Sequence, residues 1–295
     1  MPLLAPPRTS RRRWLQISAG LTFLGALSVY WFLGEKLVEP VQRQIGVVPE
    51  GRFAIEVRIE SESGSKLAGW YLDTPGARTT VLLAHPLHGD RRAMLGRAHF
   101  LSDAGYSCLL FDFQAHGESQ GDAITFGFLE AEDLRAVVNY ARALTPENQL
   151  VAIGWSLGGA AILLAQGTEN LALDGVVLES VYPTIDEALY NRLQMRVGPL
   201  AAVFAPVLAW QLPLRLGIGT DDLRPIEHIN LLHCPVLILG GSADEHTTPA
   251  ETRALFAAAL NPKSLVLFEG VRHTDLHQAN QELYEARVLQ FLAEL

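Results

Sequence analysis

Ser156 stands in the run Gly154-Trp155-Ser156-Leu157-Gly158, with an apolar stretch from Leu150 before it and Gly159-Ala160-Ala161-Ile162-Leu163-Leu164 after it. A serine hydroxyl is a poor nucleophile at neutral pH and needs a base within reach of its proton. A tight turn from strand into helix gives that access by thrusting the side chain out of the sheet edge, and flanking glycines keep the turn free of clashes. The pattern G-x-S-x-G in this setting therefore predicts acyl-transfer chemistry at Ser156. The Leu157 amide, next in the chain and at a helix start, is placed to donate to a developing oxyanion. The competing reading of these five residues is an ordinary glycine-rich turn.

The elbow and its surroundings resemble the α/β-hydrolase superfamily, in the branch of serine aminopeptidase-like and single-anchor abhydrolase proteins, over about Ala54 to Leu295. The resemblance implies the chain order nucleophile, acid, histidine, which sets aside His85, His88, His99 and His116 as bases. His273 follows an apolar run, Leu265 to Phe268, across the short loop Glu269-Gly270-Val271-Arg272, where the family carries its base. His277 lies one helical turn further on, and His228 and His233 read as surface or packing residues. For the acid, Gly240-Gly241-Ser242-Ala243-Asp244 followed by Thr248-Pro249 is similar to the family's G-x-x-D-x-x-x-P arrangement, which points to Asp244. Glu179 is the reserve acid, Asp275 is a further possibility, and a capping or turn role is the structural alternative for Asp244. The family's H-G-x segment corresponds to His85-Pro86-Leu87, which implies the Leu87 amide as second oxyanion donor although proline stands where glycine is usual. Asp112-Phe113-Gln114-Ala115-His116-Gly117-Glu118-Ser119 is similar to the family's D-x-x-x-H-G-x-S stretch, which implies a structural role for Asp112 and Ser119 and no chemistry for His116.

These residues need a sheet edge to bring them together. Short, wholly apolar runs alternating with helical stretches predict a mostly parallel sheet with helices on both faces, the α/β-hydrolase fold. The strands are expected at Val81 to Ala84, Cys108 to Asp112, Leu150 to Gly154, Val176 to Leu178, Val236 to Leu239 and Leu265 to Phe268. An antiparallel hairpin, Ala54 to Ile59 and Leu67 to Leu72, precedes them. The gap at about 181–230 is longer than one crossover needs and carries Leu200, Val203, Phe204, Leu208 and Trp210, which predicts a helical cap. Such a stripe suits an apolar acyl chain or a membrane-derived lipid, and equally suits plain packing. Cys108 and Cys234 border strands and lack ligand spacing, so both read as buried free thiols.

Ahead of the hydrolase domain at 54–295 come a basic tail at 1–13, an apolar segment at 14–33 and a linker at 34–53 rich in turn-forming residues. Trp14 to Leu33 contains no charge and, at ~1.5 Å per residue, is long enough to span a ~30 Å hydrocarbon core. Arg11, Arg12 and Arg13 directly before it predict an uncleaved, single-pass transmembrane helix with a cytoplasmic amino terminus and an extracytoplasmic catalytic domain. The rival readings are a twin-arginine signal, with Trp14 and Gln16 departing from the usual residues, and a buried globular helix, which would show one polar face where this stretch shows none.

Asp and Glu total 32 against 23 Lys and Arg, and four of those cations sit in the tail, so the remainder offers no basic footprint for nucleic acid. The expected partner is a small-molecule or lipid-like acyl substrate. The expected activity is carboxylic ester cleavage, with peptide and thioester chemistry behind it, and the triad requires no metal or organic cofactor. The alternative is a catalytically silent, membrane-tethered binding or scaffold protein on the same fold.

Overall fold

The computed structural model describes residues 8–46, 54–168 and 170–295. The chain divides into two compact units, one ending at Val38 and the other running from Glu39 to Leu295. Of the sequence-predicted segments, 1–7 of the basic tail and 47–53 of the linker lie outside the described residues.

In the first unit a single helix, α1, runs from Arg8 to Val38. It extends the apolar segment at both ends, into the arginines and into the stretch read as linker. In the second unit the chain forms β1 (Val41–Gln42), β2 (Ala54–Glu60), β3 (Lys66–Leu72), β4 (Thr79–Ala84), α2 (Leu95–Asp103), β5 (Ser107–Phe111), β6 (His116–Gly117), α3 (Phe128–Leu144), β7 (Gln149–Trp155), α4 (Leu157–Thr168), β8 (Gly175–Glu179), α5 (Ile185–Val197), α6 (Ala201–Ala209), α7 (Gln211–Leu216), β9 (Val236–Gly241), α8 (Pro249–Ala258), β10 (Lys263–Phe268), α9 (Leu276–Ala279) and α10 (Gln281–Ala293).

The main sheet has eight strands in the order β10-β9-β8-β7-β4-β5-β3-β2. Strands β5 through β10 in that order pair in parallel, and β2 and β3 form the expected antiparallel hairpin at one edge. Every residue of β4, β5, β8 and β9 is buried, as strands covered on both faces require. Met94, Ala98 and Leu101 from α2 and its approach join Tyr284, Val288 and Phe291 of α10 against Val81, Leu83, Val151, Ile153 and Leu237 on one face. The alternate positions, such as Leu82, Ala152 and Leu178, point to the other side of the pleat, where α3 and α4 pack together.

Helix starts follow local chemistry. Thr184 accepts from Glu187 N at the start of α5, and Thr248 with Glu251 closes a capping box on α8 with Pro249 at the first turn. Cys108 and Cys234 are both buried and form no disulfide, and burial pushes the Cys234 thiol up to about 11.

Two segments differ in form from the sequence reading. Composition suggests a plain linker before the domain, whereas Val41 N donates to Ala115 O and Arg43 N to Gly117 O, both at 2.7 Å, making β1 a parallel partner of β6. Backbone hydrogen bonds made by a two-residue bridge leave no trace in hydrophobic pattern. Where a cap is expected, between β8 and β9, the chain forms α5, α6 and α7; Gly198-Pro199 breaks α5 from α6 and Trp210 turns α6 into α7. The apolar stripe splits: Leu208 packs inward, while Leu200, Val203 and Trp210 retain 58%, 62% and 65% of their surface. Those three side chains therefore do not enclose an acyl pocket.

Candidate active site

Ser156 lies between the end of β7 and the start of α4, buried, at φ +51°. A non-glycine residue in the left-handed region is strained, and such strain clusters where a side chain must be aimed. The turn is held by Ser156 N donating to Glu179 O at 2.8 Å and by Ala160 N donating to Ser156 O at 3.0 Å. It also depends on the glycines around it. A Cβ at Gly158 would lie 2.3 Å from Ala84 O, and one at Gly159 would lie 2.1 Å from Val181 Cγ2, so only glycine lets α4 begin this close to β4 and the end of β8.

Asp244 leaves β9 and His273 leaves β10, neighbouring parallel strands, so their loops emerge at the same sheet edge. The two meet: His273 Nδ1 lies 2.8 Å from Asp244 Oδ2. The second carboxylate oxygen, Oδ1, accepts from His246 N at 2.8 Å and Thr247 N at 2.9 Å. Burial pushes the Asp244 carboxyl up, but the hydrogen bond and charge of His273 and the two amides outweigh it, leaving the group below the usual carboxylate range. With Nδ1–H committed to that carboxylate, the lone pair of His273 Nε2 remains for proton transfer. The His246 ring stacks on His273 at 4.8 Å between centroids and 9° between planes.

The alternative acids are engaged elsewhere. Glu179 receives Arg97 Nε at 2.9 Å and Arg97 Nη2 at 2.5 Å, and also the Tyr284 hydroxyl. Asp275 accepts from Arg97 Nη2 at 2.9 Å and caps α9 through the His277 amide. His277 sits on α9, as its spacing from His273 predicts, and contacts Glu285 at 2.9 Å. This cluster was not visible in sequence. Its one signal is Arg97, a charge buried beside Ala98 and Leu101 on α2.

Leu87 lies in a turn closed by Gly89 N donating to Pro86 O at 2.9 Å. Among the described residues, neither the Leu87 amide nor the Leu157 amide donates to a protein acceptor. Proline in place of glycine thus leaves the neighbouring N–H open. His85 fixes the base of the turn: Phe113 N donates to its Nε2 at 3.0 Å, and its Nδ1 then donates to Pro86 O at 2.8 Å.

The Asp112–Ser119 loop is a backbone clamp. Asp112 pairs with Arg91 and accepts from Arg91 N at 2.7 Å and Glu118 N at 2.9 Å, while the Ser119 hydroxyl donates to Asp112 O at 2.6 Å. His116 is part of it, accepting from His88 N at 3.3 Å and donating from Nδ1 to Gln114 O at 2.9 Å. Burial first, and His85 second, push the His116 pKa down to about 4 against the opposing pull of the Gln114 carbonyl and Glu130. A folded value below the unfolded ~6.5 means the native state favours the neutral ring. Its contribution is full above about pH 6.5 and is lost as pH falls toward 4. The stability advantage of wild type over His116→Asn is therefore expected to shrink by roughly 2 kcal/mol between about pH 7.5 and 4.5 in urea unfolding. A difference that stays constant with pH would contradict this role.

Among the described residues no group of three or more His, Cys, Asp or Glu is arranged to hold a metal ion.

Comparison with known proteins agrees with this architecture. The esterase Pf2001 of Pyrococcus furiosus superposes with a TM-score of 0.71 at 24% identity, covering 88% of this chain and 98% of that one. The uncharacterized protein Rv2307c of Mycobacterium tuberculosis is 30% identical over 275 residues, 90% of this chain and 87% of its own. The uncharacterized protein YqkD of Bacillus subtilis is 26% identical over 236 residues, 79% of this chain and 77% of its own. Residues 75–230 match the family described as serine aminopeptidase, S33. With more than half its length matched and this fold beneath it, the chain belongs to the serine aminopeptidase S33 family of α/β-hydrolases.

Proposed function

We propose that this chain is a membrane-anchored serine hydrolase that cleaves carboxylic esters through an acyl-enzyme, with Ser156 as nucleophile, His273 as base and Asp244 as acid. The observation that carries the reading is the 2.8 Å contact between His273 Nδ1 and Asp244, two strands away from a serine held at positive φ in a strand-to-helix turn. In the cycle, His273 Nε2 removes the Ser156 proton as Oγ attacks the carbonyl carbon. Asp244 holds the ring tautomer and stabilises the imidazolium. The Leu87 and Leu157 amides donate to the oxyanion, His273 returns the proton to the leaving group, and water releases the acid by the reverse sequence.

Ester cleavage is favoured over peptide or thioester cleavage by the solved neighbours named as esterases, among them the Pyrococcus furiosus protein. For the anchor, the support is the unbroken helix from Arg8 to Val38 around a run without charge. Extraction of membranes with alkaline carbonate would leave an anchored chain in the pellet, and its release into the supernatant would rule the anchor out.

The detergent-solubilised full chain is expected to hydrolyse 4-nitrophenyl esters, and comparing butyrate with palmitate reads its acyl-length preference. No turnover of either by folded protein would overturn the esterase reading and favour a silent binding protein.

A further inference from the structure

Helix α5 of the cap carries an arginine that the triad does not use. The turn that bears it is fastened to the acid loop: the neighbouring Asn191 donates from Nδ2 to His246 O at 3.2 Å and to Glu251 Oε1 at 2.6 Å. Arg192 itself is partly buried, whereas Arg196, one turn further along the same helix, is exposed. Its guanidinium folds back on its own helix, Nη1 donating to Ala188 O at 2.9 Å. That is its only hydrogen bond among the described residues, and it forms no ion pair with a described carboxylate. A guanidinium carries five N–H donors, so most of its capacity is unspent.

The groups that feel its charge come from separate segments converging at the sheet edge. They are His88 beside the candidate oxyanion turn, His246 stacked on His273, and Asp244 and Tyr182. The nearby anions are already engaged. Asp244 accepts from three N–H groups, and Glu251 is bound by Thr248 N and Asn191. The Tyr182 hydroxyl donates to Phe126 O. Burial, the largest influence, lowers the Arg192 pKa against the opposing pull of Tyr182, Asp244 and Glu251, which marks a cation partly stripped of water. Arginine's planar fork suits a carboxylate or a phosphate, and a desolvated one gains most from such a partner.

We propose that Arg192 is a specificity residue that binds an anionic group, carboxylate or phosphate, borne by the ester substrate near its scissile bond. The inference rests on the serine-hydrolase reading above and names the substrate class for that site. It predicts that an ester ending in an anion is preferred to its neutral counterpart of equal length.

Two substrate pairs test this with the full-length protein. Mono-4-nitrophenyl adipate against 4-nitrophenyl hexanoate places the anion on the acyl side. Butyrylglycerol phosphate against butyrylglycerol places it on the alcohol side. In wild type, the kcat/KM ratio of anionic to neutral ester is expected to be at least about tenfold in one pair, and Arg192→Gln is expected to lower that ratio by about 10- to 100-fold. Arg192→Lys, which keeps the charge without the fork, should retain an intermediate ratio. The wild-type preference stands as a test even if the glutamine variant fails to fold. No anionic preference in wild type, or a ratio unchanged in Arg192→Gln, overturns the inference while leaving the hydrolase reading intact. No turnover of any of the four esters, with no labelling of Ser156 by a fluorophosphonate, overturns both.

Discussion

Ser156→Ala is expected to lower kcat for a nitrophenyl ester on the order of a million-fold, down to the level that binding and oxyanion contacts alone sustain. The substitution removes one oxygen from a turn whose geometry is set by backbone bonds and by Gly158 and Gly159, so the fold should survive. Asp244→Asn is expected to cost about 10⁴-fold. An amide cannot reproduce a carboxylate that accepts His246 N and Thr247 N at one oxygen and His273 Nδ1–H at the other. If the asparagine instead donates to Nδ1, the ring carries its proton on Nε2 and no longer serves as base. Because the three groups act as a unit, the double variant should be barely slower than Ser156→Ala. Single-turnover kinetics on the three proteins check this. Multiplicative losses would show that Asp244 does not act through the same step.

The second large effect is on stability. Arg97 is fully buried, with its charge shared between Glu179 and Asp275 and its guanidinium packed on the Trp155 and Tyr284 rings. Arg97→Ala leaves Glu179 charged, buried and without its cation, which is expected to cost about 3–5 kcal/mol in unfolding free energy. Pairing Arg97→Met with Glu179→Gln removes the two fully buried charges and their desolvation penalty, so the double variant should recover much of that loss although the less buried Asp275 still loses its cation. Denaturant unfolding of the two proteins separates these outcomes. The cluster also bears on the site, since Ser156 N bonds the backbone of Glu179 and Trp155 immediately precedes the nucleophile.

The sheet was legible because each buried parallel strand is a continuous apolar run, such as Val81 to Ala84 or Val236 to Leu239, bounded by turn-forming residues. The antiparallel hairpin was legible from its strand-forming residues and the turn at Gly64. The elbow was readable for a stronger reason: its glycines have no substitute, as the contacts a Cβ would make at Gly158 and Gly159 demonstrate. Asp244 and His273 were placed by their resemblance to the family's motifs after successive strands, and the structure brings those two side chains into contact.

What escaped the sequence depends on long-range partners. Glu179 reads as a spare acid until Arg97, distant in the chain, is seen to occupy it. The stacking of the His246 ring on His273 has no signal in the sequence. Arg192 has no distinguishing signal in the sequence, and its partial burial, with no ion pair to a described carboxylate, singles it out. The apolar stripe of the cap suggests an enclosed acyl site, but hydropathy cannot distinguish an inward Leu208 from an outward Trp210.

The central claim is tested most directly by treating the folded full chain with a fluorophosphonate and mapping the adduct by mass spectrometry. The account predicts one covalent adduct, on Ser156, that is lost in Ser156→Ala and slowed in His273→Ala. A folded protein that takes no adduct, or one that carries it on another residue, would contradict it.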